Sequence, residues 1–469
     1  MTKIFLLLCF SGFNFIHAQP EQRASGSSGA GRYAARPAQA SHKSQVTGHK
    51  SEADIGGLAQ NGAVEVLSLE ESVKLALQNS LPVLSAEQEI LIAKQRLKEA
   101  HFLYLPQITI SATLSRLNLE YPMVLPVEFG GRFLENGTNE NFYTLRGYVF
   151  QPLYAGGRNK STLKMAKAAL NSAEVSHEMV KRDVILNAKK TFYAFLFQKK
   201  NYEMLAGWHQ KALNISEKIN NKNRWESVES VAILSRFDFK KSVGAKNIEN
   251  SKLDFLAALN KETDSAVDIA GEFETAGSGI DIRQSLVSAM EMRPEQKSEM
   301  YKAQMDDIAV NMAIIRRYPN IYLGLNYDIV AEDISGFSNS SLRSNNWVAS
   351  IAVHLPLSYD IWSDIVRKKA LQRQGDIKRS EVQDRIRFEI FKSHSDVQFW
   401  EKTSAKIKES FERANIEYES ALKNESLSTA SLRALVSVFE LNKQYVDSVY
   451  NLSVAKVTLE WAQGTPVAQ

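Results

Sequence analysis

Few side chains in this sequence are spaced for covalent chemistry. Gly156-Gly157-Arg158 lacks the lysine spacing of a phosphate loop, and neither an H-E-x-x-H pair nor a paired C-x-x-C occurs. The eight histidines are scattered. His177 and Glu178 are neighbours on a helical stretch, so their side chains diverge. His354 reads as part of a strand's polar face rather than as a metal ligand. No enzymatic activity, cofactor or bound metal is expected. What the spacing does offer is a surface for water. Thr109, Ser111 and Thr113 alternate with Ile108, Ile110, Ala112 and Leu114, which sets a hydroxyl row and a greasy row on opposite faces of one strand. Asn326 and Asp328 stand in the same relation to Ile321, Leu323 and Leu325, as do Ser350 and His354 to Ile351 and Val353. Such rows can line a passage for polar solutes without reacting with them.

The elements that carry these rows occur twice. From Leu69 and again from Ile282 the chain runs through a short helical stretch, a proline-led strand, a polar loop, a second strand ending in Pro-Leu and a long helical pair. Tyr104-Leu105-Pro106 corresponds to Arg317-Tyr318-Pro319, and Gln151-Pro152-Leu153 to Leu355-Pro356-Leu357. In the first copy Ser68 caps a turn holding Glu70 and Glu71, strands are predicted at about 106–118 and 142–153, and long helices at about 159–223 and 228–260. The second copy has strands at about 319–330 and 346–357 and helices at about 362–423 and 427–462. A helix of about sixty residues is roughly 90–100 Å long. Leu205, Trp208, Ala212, Ile215 and Ile219 recur at coiled-coil spacing, as do Leu432, Leu435, Phe439, Asn442, Val446 and Val449. Asn442 in that seam either loosens the packing or fixes helix register.

The remaining stretches place the body. Residues 1–18 read as a secretory signal: an apolar run follows Lys3, and Ile16-His17-Ala18 suits cleavage before Gln19. The sole cysteine, Cys9, lies inside that run, so the mature chain is expected to hold no disulfide and no lipid anchor. Residues 19–65 are a polar tether, 266–281 a linker and 465–469 a tail. The formal charge of +4 is spread along helices and does not imply nucleic acid. No stretch is long and apolar enough for a membrane-crossing helix.

The fold class is therefore mostly α with a small β part. Four amphipathic strands leave two free edges and an uncovered greasy face. A closed barrel in an outer membrane satisfies both, and three chains would supply twelve strands where four are too few for a pore. Aromatics beside the loops (Tyr121, Phe129, Phe133, Phe142, Tyr143, Trp347) suit a membrane-interface belt. The alternative is a structural periplasmic coiled-coil scaffold without channel activity, whose hairpins pack on its own helices.

The order helix, Leu-Pro-x-Ile strand, loop, strand and then Gln151-Pro152-Leu153-Tyr154-Ala155-Gly156-Gly157-Arg158 opening a long helix resembles the TolC family of outer-membrane efflux proteins. The resemblance holds in both copies, over about 66–464, with repeats at 66–265 and 282–464. It implies a homotrimeric duct in which a twelve-stranded outer-membrane barrel continues into a periplasmic α-helical barrel. The duct would serve efflux or type I secretion in a Gram-negative bacterium, docking onto a periplasmic adaptor (membrane fusion) protein and an inner-membrane pump of RND or ABC type. On that reading Thr109, Ser111, Thr113, Asn326, Asp328, Ser350 and His354 line the lumen, while Ile108, Ile110, Leu114, Ile321, Leu323, Leu325, Ile351 and Val353 face outer-membrane lipid. Glu226, Glu229, Asn424, Glu425 and Arg433 belong to the periplasmic tip. The sequence departs from the family there: the tip turns lack glycine, and Ala430 and Arg433 stand where two inward acids are expected. Glu226, Glu229 and Glu425 remain as substitute negative charges or as solvated helix ends.

Overall fold

The computed structural model describes residues 64–119, 123–124, 133–134, 138–219, 223–273 and 281–464. The expected signal, nearly all of the tether, Tyr121, Phe129 and the 465–469 tail lie outside the described residues, and so does the side chain of Phe133.

The elements come in two matching series. The first holds β1 (Glu65–Leu67), α1 (Leu69–Asn79), α2 (Leu81–Phe102), β2 (Gln107–Leu119), two short strands β3 (Met123–Val124) and β4 (Phe133–Leu134), β5 (Thr138–Ala155), α3 (Arg158–Lys218), α4 (Arg224–Ala258) and β6 (Val267–Ile269). The second holds α5 (Ile282–Met292), α6 (Pro294–Ile315), β7 (Asn320–Ala331), β8 (Arg343–His354), α7 (Asp360–Asn424) and α8 (Thr429–Gln463). The helices run 11, 22, 61 and 35 residues in one series and 11, 22, 65 and 35 in the other.

Local chemistry sets the ends. Ser68 and Glu71 close a capping box on α1, where the Ser68 N–H donates to Glu71 Oε2 at 2.9 Å. Asn223 and Glu226 do the same for α4. The turn expected at Arg224–Glu229 is therefore the start of α4, and α3 ends at Lys218. In the second series α7 ends at Asn424 and α8 starts only at Thr429. The short helices lie along the long ones: α2 and α4 flank α3, while α6 and α8 flank α7. Packing of α3 on α6 and α8 joins the two series.

Two expectations about connecting segments change. Glu65, placed at the end of the tether, opens β1, and the supposed linker contains β6. The two pair in parallel, Val66 opposite Asp268. Leu67, Val267 and Ile269 then fill a core with Phe192, Tyr193, Phe195, Phe255 and Leu256. Nearer the α3–α4 turn a second core brings all four long helices together through Leu205, Trp208, Ile215, Phe237, Tyr418, Leu432, Leu435 and Phe439. Buried aliphatic side chains of this size each contribute roughly 1.5–3 kcal/mol, so the coiled-coil seam holds these helix ends.

Candidate functional site

The order β2-β5-β7-β8 makes one antiparallel sheet of four strands. Directly paired residues share a face, so the register sorts the side chains without ambiguity. Ile108 pairs with Val149, Val149 with Leu325 and Leu325 with Ala349. Ile108, Ile110, Leu114, Ile321, Leu323, Leu325, Ile351 and Val353 therefore lie on one face. On the other face Ser111 pairs with Arg146, Arg146 with Asp328 and Asp328 with Asn346. Thr109, Ser111, Thr113, Asn326, Asp328, Ser350 and His354 all fall there. The apolar face is bare: Ile110 is 75 % exposed, Ile351 69 % and Leu325 42 %. Trp347 joins it, whereas Phe142 lies on the polar side and is buried.

The polar face is less uniform than its hydroxyls promise. Asp328, expected to meet water, is 0 % exposed. Arg146 Nε donates to its Oδ1 at 2.7 Å and Asn326 Nδ2 to its Oδ2 at 2.8 Å, so the carboxylate is held inside a cross-strand network. Tyr148, Phe150 and Tyr322 lie on the same side with ring centroids 6.4 and 4.9 Å apart. Tyr148 crosses Gly324, where an added Cβ would stand 3.1 Å from Ser350 Oγ and 3.5 Å from the tyrosine hydroxyl. Neither the network nor the aromatic row stands out in the sequence, since β5 alternates poorly.

All four junctions between strand and helix lie at one end of the sheet, because Gln107 pairs with Phe150, and Asn320 pairs with both Ala155 and His354. Each junction carries a proline: Pro106, Pro152, Pro319 and Pro356. Each also exposes greasy or aromatic groups, among them Tyr104, Leu105, Leu153, Tyr154, Tyr318, Leu357, Trp362 and Tyr359, the last 94 % exposed. The junctions are tied together. Gln151 Nε2 donates to the Tyr104 carbonyl at 3.2 Å, and Arg316 bonds Asp360 at 2.9 Å and Asp364 at 3.1 Å. Gly156 has φ +61°, and an added Cβ would sit 2.9 Å from Tyr318 Cβ. The Gly-Gly pair thus serves close packing between the two copies.

At the far end of the long helices Arg433 on α8 makes a two-pronged bond to Glu229 on α4, with Nη2 to Oε2 at 2.6 Å. The guanidinium bond holds the Glu229 carboxyl below its usual range and raises Arg433. Lys211 on α3 reaches Glu419 on α7 at 3.2 Å. Glu226 is engaged as a cap, and Glu425 ends α7 with its N–H donating to the Ala421 carbonyl. Asn424 leans on Ser420. At the tip, then, Glu226 caps α4 and Glu229 is paired with Arg433.

Among the described residues no cluster of His, Cys, Asp and Glu is placed to hold a metal, and no helix is long and apolar enough to cross a membrane. The family model for outer membrane efflux proteins matches residues 72–218. No match to a curated protein sequence is found. Among solved structures the chain is similar to the outer membrane protein VceC of Vibrio cholerae, with a TM-score of 0.71 at 13 % identity over 84 % of this chain and 96 % of that one. It is also similar to the CmeC outer membrane channel of Campylobacter jejuni (TM-score 0.66, 17 % identity, 84 % and 85 % covered). A third is the MtrE outer membrane channel of Neisseria gonorrhoeae (0.65, 12 %, 84 % and 88 %). At such identities the likeness is one of fold. Residues 72–218 match the outer membrane efflux protein family, and the described chain has the fold of the outer membrane channels VceC, CmeC and MtrE.

Proposed function

We propose that this chain is the outer-membrane channel of an efflux or type I secretion system in a Gram-negative bacterium. Three copies would close their sheets into a twelve-stranded barrel, continued by a helical barrel in the periplasm. The observation that carries this reading is the sorting of the four-stranded sheet into an exposed apolar face and a polar face. The free edges support it. β2 and β8 are the outer strands, and with an even number of strands β8 of one copy meets β2 of the next in antiparallel sense. That contact is head to tail, the kind that closes into a ring when each copy is rotated by a third of a turn. Strands of 12 or 13 residues tilted by about 40° span roughly 30 Å, the thickness of a bilayer's apolar core.

The duct is passive. Polar-face residues Thr109, Ser111, Thr113, Asn326, Ser350 and His354 line the water path, with the Arg146–Asp328 pair bracing it. At the tip the α4–α8 bond of Glu229 to Arg433 and the α3–α7 bond of Lys211 to Glu419 latch one helical hairpin to the other. Opening separates the hairpins, and contacts to a periplasmic adaptor and an RND or ABC pump bias that equilibrium. The fold likeness to outer membrane channels supports the same reading. The test is single-channel conductance in a planar bilayer. Wild-type protein gives small or rarely open channels, and Glu229→Lys and Arg433→Glu each increase the open conductance. Absence of any channel from all three proteins would refute the proposal.

A further inference from the structure

We propose that the first turns of α3, just below the exposed junction collar, form a binding surface for the phosphate headgroups of anionic phospholipids in the periplasmic leaflet. This rests on the barrel reading above. Between residues 158 and 173 the chain carries Arg158, Lys160, Lys164 and Lys167 and no acid, the first being Glu174. Lys160, Lys164 and Lys167 fall at i, i+4 and i+7, so they form one row on the helix. All four basic residues are exposed, and none forms an ion pair among the described residues. Among the described residues, some basic groups elsewhere on the long helices are paired, as Lys189 is with Glu460 and Arg413 with Glu409, and others such as Lys368 and Lys369 are not, so what singles out this row is its freedom from acids along its own stretch of helix and its place below the collar.

Position names the partner. The collar of Tyr104, Leu105, Leu153, Tyr154, Tyr318 and Trp362 has the composition of a membrane–water boundary, greasy groups with polar tips at one level. Helix α3 starts three residues after Leu153-Tyr154-Ala155, so Lys160 and Lys164 lie about 3 and 9 Å below its first residue. The headgroup layer extends roughly 5–7 Å beyond the apolar core, and lysine stems snorkel toward it. Arg317 adds a cation at the same level, with its guanidinium 5.7 Å from the Tyr318 ring and 6.0 Å from that of Trp362. Asp360 and Asp364 are bonded to Arg316 and Arg367, and a further acid beside the row, Glu99 on the last turn of α2, is outnumbered by its neighbours Arg96 and Lys98. Within the chain α3 packs on both α2 and α6, and the row stays exposed beside them. An exposed row of unmatched cations under an interfacial belt fits a phosphodiester anion held at that depth.

The experiment is native mass spectrometry of the full chain in detergent, offered an equal mixture of phosphatidylglycerol and phosphatidylcholine. Insertion into vesicles is measured in parallel by resistance to protease. Wild type retains phosphatidylglycerol over phosphatidylcholine by about fivefold or more. Lys160→Gln/Lys164→Gln/Lys167→Gln loses that preference while still inserting, and Lys402→Gln/Lys406→Gln, far along α7, keeps it. Insertion with equal retention of the two lipids by wild type overturns this inference and leaves the barrel standing, as does an unchanged preference in the triple variant. Failure of wild type to insert overturns both.

Discussion

Leu325→Arg is the sharpest probe of the two-faced sheet. β7 starts at Asn320, so Leu325 lies five residues in, which at about 3.3 Å per residue and a 40° tilt is roughly 13 Å above the collar. That is close to the midplane of an apolar band about 25–30 Å thick. Leu325 is 42 % exposed on the apolar face, so a longer charged side chain there reaches the surface of that face. An arginine at that depth costs about 2–4 kcal/mol per chain, or a factor of about 30 or more in assembly, and a ring of three copies multiplies the penalty. Ile110→Arg, only about 8 Å from the collar, costs roughly 1–3 kcal/mol on the same depth scale. Thr109→Arg adds the same charge one residue away on the opposite face and assembles nearly as wild type. The assay is the fraction of protein recovered from outer membranes as a folded, heat-modifiable species on a gel. Normal recovery of Leu325→Arg with loss of Thr109→Arg would invert the face assignment, and equal recovery of all variants would remove it.

Other outcomes follow from individual contacts. Gly156→Ala forces a side chain into a left-handed backbone against Tyr318 and lowers stability by about 1–3 kcal/mol, whereas Gly207→Ala, in open space on α3, is neutral or slightly stabilising by thermal melting. Arg293 is 2 % exposed and bonds Glu295 at 2.7 Å and Glu389 at 2.6 Å, so Arg293→Met leaves these carboxylates with their longer contacts to Arg182 (3.7 Å) and Arg385 (3.9 Å) and costs about 3 kcal/mol in denaturant titration. Burial raises the pKa of Glu295, but its bonds to Arg293 outweigh that and leave it below the ordinary 4.5. Its contribution is present above that value and fades as pH falls through the lowered one, so Glu295→Gln flattens the acid limb of a stability-versus-pH curve. At the tip, combining Glu229→Lys with Arg433→Glu restores the wild-type conductance that either change alone raises, because the reversed pair rebuilds the bond.

Much of this body was readable because its signals are local and doubled. Alternation at Ile108–Leu114 and Ile321–Leu325, prolines at each junction and the Leu205–Ile219 seam each need only a short window. Two copies of each signal remove most of the ambiguity. The misses needed contacts between distant residues. β1 and β6 are three-residue strands whose pairing joins Glu65 to Val267, and no periodicity fits into so short a span. The sequence places the start of α4 late because Asn223 reads as a turn residue, and only its partner Glu226 completes it as a cap. Asp328 lies on its expected face, yet its burial depends on Arg146, 182 residues away. Tyr148 and Phe150 are hidden in the sequence for a related reason: aromatics on a polar face break the alternation that reveals a strand.

The most direct test of the whole reading is the mass of the folded particle extracted from outer membranes in mild detergent, corrected for bound detergent. Closure of the free β2 and β8 edges into a ring predicts about three times the 52.6 kDa chain, less any leader removed during export, stable only while detergent is present. A single chain that stays folded and dispersed in plain buffer, with the apolar face of Ile110 and Ile351 in water, would contradict it.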